Sequence, residues 1–192
     1  MHSEPPLQGP LSRNLARTQA GLALLLLAGI AGLDFFFPTS YRIQAGLHGL
    51  SSIASVVVGT MLTHRAYPLI RGVRVNFRSL RRWVLGSAVL NLLGVVSGNW
   101  IYMRYRGQDG PRDWILARVP GFHNVLMEFK EFVSLFPFPL MVAVTFVLFY
   151  CSDRIHARRD LTQFVAIGIL ASWFFLMLGF VAGLVLSKLR FV

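Results

Sequence analysis

Acidic residues are scarce, with only eight Asp and Glu in 192 residues. All charged residues together make up 14 % of the chain, where ordinary soluble domains carry roughly 25 %. A water-soluble fold of this size cannot cover its surface with so few charges. Cysteine is scarcer still. Cys151 stands alone, which excludes an internal disulfide, an iron–sulfur cluster and a C-x-x-C-H haem attachment. It closes an apolar run, where a small packing residue fits. No P-loop, G-x-S-x-G, H-E-x-x-H or G-x-G-x-x-G dinucleotide context occurs. No connection is long enough to build a soluble hydrolase, and neither an internal repeat nor barrel-like alternation is seen.

Apolar residues are what the chain has in abundance, at 55 %. They gather into five runs: 20–37, 43–63, 83–103, 132–151 and 161–187. Each reaches the roughly 17–25 residues that a helix needs to cross about 30 Å of hydrocarbon. Lipid forces a spanning backbone to satisfy itself, so these runs predict helices. The expected fold is an all-α integral membrane protein, a bundle of five transmembrane helices. Arg13 and Arg17 before the first run resemble the start of a signal peptide. No A-x-A cleavage site follows and four more runs do, so an uncleaved first helix is expected. The domain reading is a cytoplasmic tail at 1–19, one helical membrane domain at 20–188, and a short tail at 189–192.

Seventeen Arg and two Lys set the formal charge at +11. In a soluble protein this would suggest nucleic acid. Here the arginines sit between apolar runs, where they orient the chain in the bilayer and meet lipid phosphates. Eleven lie on one side: Arg13, Arg17, Arg65, Arg71, Arg74, Arg78, Arg81, Arg82, Arg154, Arg158 and Arg159. Seven cations lie on the other: Arg42, Arg104, Arg106, Arg112, Arg118, Lys188 and Arg190. The richer side is expected to be cytoplasmic, with the N-terminus inside and the C-terminus outside. The expectation is a multi-pass protein of the cell membrane that contacts lipid and other membrane subunits and no nucleic acid.

The connection from Arg104 to Gly121 is punctuated by Gly107, Asp109-Gly110-Pro111 and Pro120-Gly121. It predicts a short interfacial helix at 114–119, capped by Asp113 and anchored by Trp114. The chain should re-enter helix near Phe122. Pro137 and Pro139 should then kink the fourth span, since each lacks an amide donor.

At about 100° per residue, His48, Ser52, Ser55 and Gly59 share a face of span two. Ser87, Asn91, Gly94, Gly98 and Tyr102 share one on span three. Gly168, Ser172, Gly179 and Gly183 share one on span five. Helix interfaces in lipid favour small and polar residues, so these three stripes are expected to face one another. Span one carries no polar stripe and is expected to sit peripherally or against a partner subunit.

Four spans bring unusual polar residues to one end. These are Asp34, His48, Asn99 with Tyr102, and His123, Glu128, Lys130 and Glu131. Ionisable groups at membrane depth mark a functional site by default. Plainer roles exist for each: a solvated helix end for Asp34, an amphipathic extension for Glu128 to Glu131, a hydrogen-bonded core histidine for His48. Three chemistries can use the set. A b-type haem takes axial histidines without a covalent motif, and His48 with His123 is the available pair. Height is the difficulty, since His123 starts nine residues above Phe132, or about 13 Å. A non-haem metal site would draw on His48, His123, Glu128 and Glu131. Proton transfer or quinone contact would add Asp34, Asn99 and Tyr102 as a polar relay. A second haem through His64 and His156 is disfavoured: sixteen residues place His64 about 160° around the helix from His48. The expected function is a small membrane redox subunit that holds a b-type haem or other metal centre near the outer leaflet and exchanges electrons with a quinone or partner protein. The alternative is a non-catalytic anchor or scaffold of a larger complex.

Overall fold

The computed structural model of the chain describes residues 8–36, 41–73 and 75–189. Among them there is helix and turn but no strand. In chain order the elements are α1 (Gln8–Phe36), α2 (Tyr41–Ile70), α3 (Phe77–Tyr105) and α4 (Pro111–Arg118). A π-helical stretch (Phe122–Met127), α5 (Glu128–Ser134), α6 (Pro137–Tyr150) and α7 (Arg159–Leu189) follow. Five segments are long and apolar enough to cross a membrane: Arg13–Gly32, Arg42–Ile70, Phe77–Tyr105, Phe122–Tyr150 and Arg159–Leu189. The last four have 29 to 31 residues, about 43–46 Å of helix. That exceeds a hydrocarbon core of about 30 Å, so their ends stand beyond it or the helices tilt.

The chain divides into two compact units, 1–40 and 41–192. The first is α1 alone. It begins at Gln8, so much of the expected tail at 1–19 is helical. Thr18 Oγ1 donates to the Asn14 carbonyl at 2.9 Å, one turn back. The Asp34 side chain lies outside the described residues.

The second unit is the bundle α2–α7. Its main core lies toward the α2–α3 loop. Leu62, Ala66 and Leu69 of α2 meet Leu80, Val84 and Ala88 of α3, Met141, Val144 and Leu148 of α6, and Val165 and Ile169 of α7. The three- and four-residue spacings keep each set on one helix face. α2 ends in a Schellman turn. Gly72 supplies the left-handed residue at φ 73°, and Val73 N donates to Pro68 O at 2.9 Å. Asn76 then caps α3, its side chain accepting from Ser79 N at 3.1 Å. Arg65 ties the two helices, donating to Ser79 Oγ at 2.9 Å and lying 5.4 Å from the Trp83 ring centre.

The fourth span is broken where its prolines predict a kink. Pro137 has no N–H for the Val133 carbonyl, and Phe136 N takes that carbonyl instead at 3.3 Å. α5 therefore stops at Ser134 and α6 starts at Pro137. Ser172 of α7 donates its hydroxyl to the Pro137 carbonyl at 3.2 Å and pins the break to its neighbour.

The expected meeting of three small-residue stripes is met in part. α2 and α3 do pack through theirs, and Ser55, Ser87 and Asn91 are buried. The α7 glycines turn elsewhere: a Cβ at Gly168 would strike Val144 of α6, and one at Gly179 would strike Ser134 of α5. α7 meets α2 through larger groups. Trp173 and Leu176 close over Gly59, and Trp173 Nε1 donates to Thr60 Oγ1 at 3.1 Å.

Candidate functional site at the α4 end of the bundle

The end opposite the main core is closed by α4. Pro111 occupies the first turn and Gly110 the cap. Asp113 sits inside the first turn rather than capping it, which corrects the expected start by three residues. Gly110 is required by its surroundings, since a Cβ there would lie 2.6 Å from the Tyr105 carbonyl and 2.7 Å from that of Gly107. The tight turn brings α4 against the π-helical stretch. Tyr105, Ile115 and Met127 form a second small core, with Trp114, Phe122 and Leu186 packed against it.

His123 is buried in this core, in the π-helical stretch. The wider π-turn re-aims side chains and recurs at functional sites. Tyr105 OH lies 3.0 Å from His123 Nδ1. Arg112 Nε donates to His123 Nε2 at 3.4 Å, a longer contact. Arginine can only donate, so in the neutral ring Nε2 accepts and Nδ1 carries the hydrogen toward Tyr105. Glu128 stands 3.8 Å from His123 Nε2, with its side chain half exposed. Tyr102 stacks on Tyr105 at 5.6 Å between ring centres, and the Arg106 guanidinium lies 4.4 Å over the Tyr102 ring.

His48 is placed separately, in the groove of α3. Its Nδ1 lies 3.2 Å from the Gly94 carbonyl and 3.3 Å from Ser97 Oγ. Ser97 spends its own hydrogen on the Leu93 carbonyl at 2.6 Å. The carbonyl can only accept, so Nδ1 is the protonated nitrogen and Nε2 is left as an acceptor. The ring fills the space a side chain at Gly98 would need: a Cβ there would lie 2.9 Å from His48 Cε1.

Lys130 approaches from α5. Its Cε lies 3.6 Å from where a Gly183 Cβ would be, and its ammonium bears electrostatically on His48. The Tyr102 hydroxyl and Glu131 carboxylate face each other. Neither the hydroxyl nor Glu131 Oε1 closes a hydrogen bond of ordinary geometry, and both are sealed from the surface. Deeper in the bundle, Ser55 Oγ and Asn91 Nδ2 are sealed and unpaired as well.

The structure thus brings together His123, Glu128, Glu131 and Tyr102 at one end, and puts His48 beside Lys130. Asn99 faces out, exposed. Among the described residues no three His, Cys, Asp or Glu side chains come within reach of one ion. The expected four-ligand set of His48, His123, Glu128 and Glu131 is therefore not assembled. Nor do the residues fit a haem held by both histidines. His123 gives both ring nitrogens to Tyr105 and Arg112, and an iron could take one only by breaking such a contact. Sequence reasoning missed Tyr105, Arg112 and the inward turn of Lys130. The available signal was Gly183, a gap opposite a long side chain.

No family model matches the chain, no curated protein matches it, and no solved structure matches it.

Proposed function

We propose that the chain is a small integral membrane subunit of a redox system, and that its α4 end passes protons to or from a quinone or partner subunit. One observation carries the reading: the Tyr102 hydroxyl and Glu131 Oε1, sealed from the surface and facing each other, at the same end as Lys130 and His48. Burying such groups is expensive in lipid and marks function by default. Tyr, Glu, Lys and His are also the side chains that carry protons. A quinone moves in the bilayer and takes up a proton with each electron, so it suits this position. The proposal includes no haem, because His123 is already spent on the protein.

The test is lipid extraction for quinone, a reduced-minus-oxidised optical spectrum and metal analysis on one purified sample. We expect about one quinone per chain, reduced several-fold by Glu131→Gln or Lys130→Met. A sample without quinone, haem band or metal overturns the redox reading. It would leave a non-catalytic anchor or scaffold in front. The contacts that favour this second reading are those of His48 and His123, whose nitrogens serve packing between helices.

We also infer the orientation, from the eleven arginines gathered at the α2–α3 loop side and the N-terminus. The chain lies in the cell membrane with its N-terminus cytoplasmic and its C-terminus outside. α4 then lies at the outer interface, with Arg118 4.8 Å over the Trp114 ring. A reporter fused after Val192 should read as external. A cytoplasmic signal would reverse the molecule.

A further inference from the structure

A cleft of about 250 Å³ opens at the end of the bundle opposite α4. That is ample room for one phosphate group with water around it. One wall is the start of α3 and the other is the end of α6 with the turns that follow. Arg78, Arg81 and His156 supply its charged and titratable lining, over Phe77, Leu148 and Ile155. No Asp or Glu lines it. The neighbouring Asp153 is engaged by the Ser152 hydroxyl at 3.1 Å.

The two guanidiniums are disposed to receive an anion. Arg78 is exposed and makes no hydrogen bond or ion pair among the described residues. Arg81 lies 5.6 Å from the Phe149 ring centre. A guanidinium beside an aromatic ring keeps its N–H groups available to fork onto oxygens. His156 is held edge-on to Phe77, ring centres 4.8 Å apart. The cleft also sits where a membrane span ends. Leu148 belongs to the last turns of the apolar α6, and Phe149 beside it is about half exposed. A polar pocket for phosphate next to an uncovered aromatic ring has the two-part form of a phospholipid.

We propose that this cleft binds the phosphate of an anionic phospholipid, with Arg78 and Arg81 on its oxygens and an acyl chain over Phe149. A free phosphate meets the same donors but leaves Phe149 uncovered. A choline headgroup brings a cation against two others. The proposal does not depend on the redox reading.

The test uses the full chain in detergent and three probes: short-chain phosphatidylglycerol, phosphatidylcholine of the same chain length, and inorganic phosphate. Thermal stability is followed as each is titrated. Phosphatidylglycerol should half-saturate the shift at a concentration at least about tenfold below the other two. The double variant Arg78→Gln/Arg81→Gln should weaken phosphatidylglycerol binding by at least about tenfold, since even one lost hydrogen bond between charged groups is about tenfold. Arg78→Gln alone alters an exposed, unpartnered side chain, so the fold should persist, and it should show part of the loss. Arg159→Gln, outside the cleft, should behave as the parent. Inorganic phosphate acting as well as phosphatidylglycerol overturns the lipid assignment in favour of a small-anion site. Equal response of parent and double variant overturns the site itself.

Discussion

Gly98→Ala is expected to destabilise the bundle by about 1–3 kcal/mol, the usual range for overpacking, whereas Gly94→Ala should do little. The two glycines lie one turn apart on the same face of α3. Their surroundings differ. A Cβ at Gly98 would meet His48 Cε1 at 2.9 Å and Nδ1 at 3.2 Å, while one at Gly94 would meet only Ser51 Oγ at 3.9 Å. The imidazole has little freedom to step aside, because Nδ1 is held by the Gly94 carbonyl and Ser97 Oγ. The measurement is an unfolding titration from mild detergent into a denaturing one. Combining Gly98→Ala with His48→Ala should restore most of the loss, because the second change removes the atoms that clash. Neighbours of this kind couple by about 0.5–3 kcal/mol in a double-mutant cycle. Simple addition of the two effects, or an equal cost at Gly94, would show that His48 is not seated where the contacts put it.

That contrast also marks how far the sequence carries the fold. Gly94-x-x-x-Gly98 reads as a close approach, and a close approach is found there. What approaches Gly98, though, is a histidine ring from α2 rather than another backbone. The α7 glycines share a face as expected, yet Gly168 and Gly179 receive α6 and α5 instead of α2 and α3. Angular spacing shows which residues lie together on one helix. It does not say which neighbour they meet, because that depends on the order of helices around the bundle. Breaks are more legible. Pro137 interrupts span four through a missing donor, a local effect that any neighbour would leave in place.

The site was legible in its members more than in its geometry. Six of its polar residues, His48, Tyr102, His123, Glu128, Lys130 and Glu131, stand out because they are rare in apolar surroundings. Their pairing rests on features without a local signature. Residues 122–127 read as ordinary helix, whereas the chain there is π-helical and Met127 packs with Tyr105 and Ile115. The height of His123 illustrates the point. A position about 13 Å above the expected start of hydrocarbon sets it apart from His48. α3 extends to Tyr105, however, and Ile115 of α4 packs with it and with Met127. His123 is buried by protein at that level.

His123→Ala is accordingly expected to loosen the connection around α4 while the rest of the bundle stays folded. The ring links three elements: Tyr105 at the end of α3, Arg112 in the first turn of α4, and the π-helical stretch that carries it. Its removal leaves the buried Tyr105 and the half-buried Arg112 without that partner. An unsatisfied buried group costs about 1–3 kcal/mol. The main core of α2, α3, α6 and α7 lies toward the other end, so the cost should fall on local opening rather than on global unfolding. The chain supplies its own probe, since Arg104, Arg106, Arg112 and Arg118 are trypsin sites within this connection. When opening is fast relative to cleavage, nicking follows the open population, and each 1.4 kcal/mol is a factor of ten. Trypsin should therefore cut the His123→Ala protein between 104 and 118 roughly tenfold faster than the parent. His123→Gln, which can still donate to one side and accept from the other, should recover part of the protection. A ligand role makes a different demand. If His123 instead held a redox centre, the alanine variant would lose an optical band that the parent displays, and glutamine would not restore it. Unchanged cleavage in His123→Ala would mean that Tyr105 and Arg112 do not depend on the ring, and the link between α3 and α4 would have to lie elsewhere.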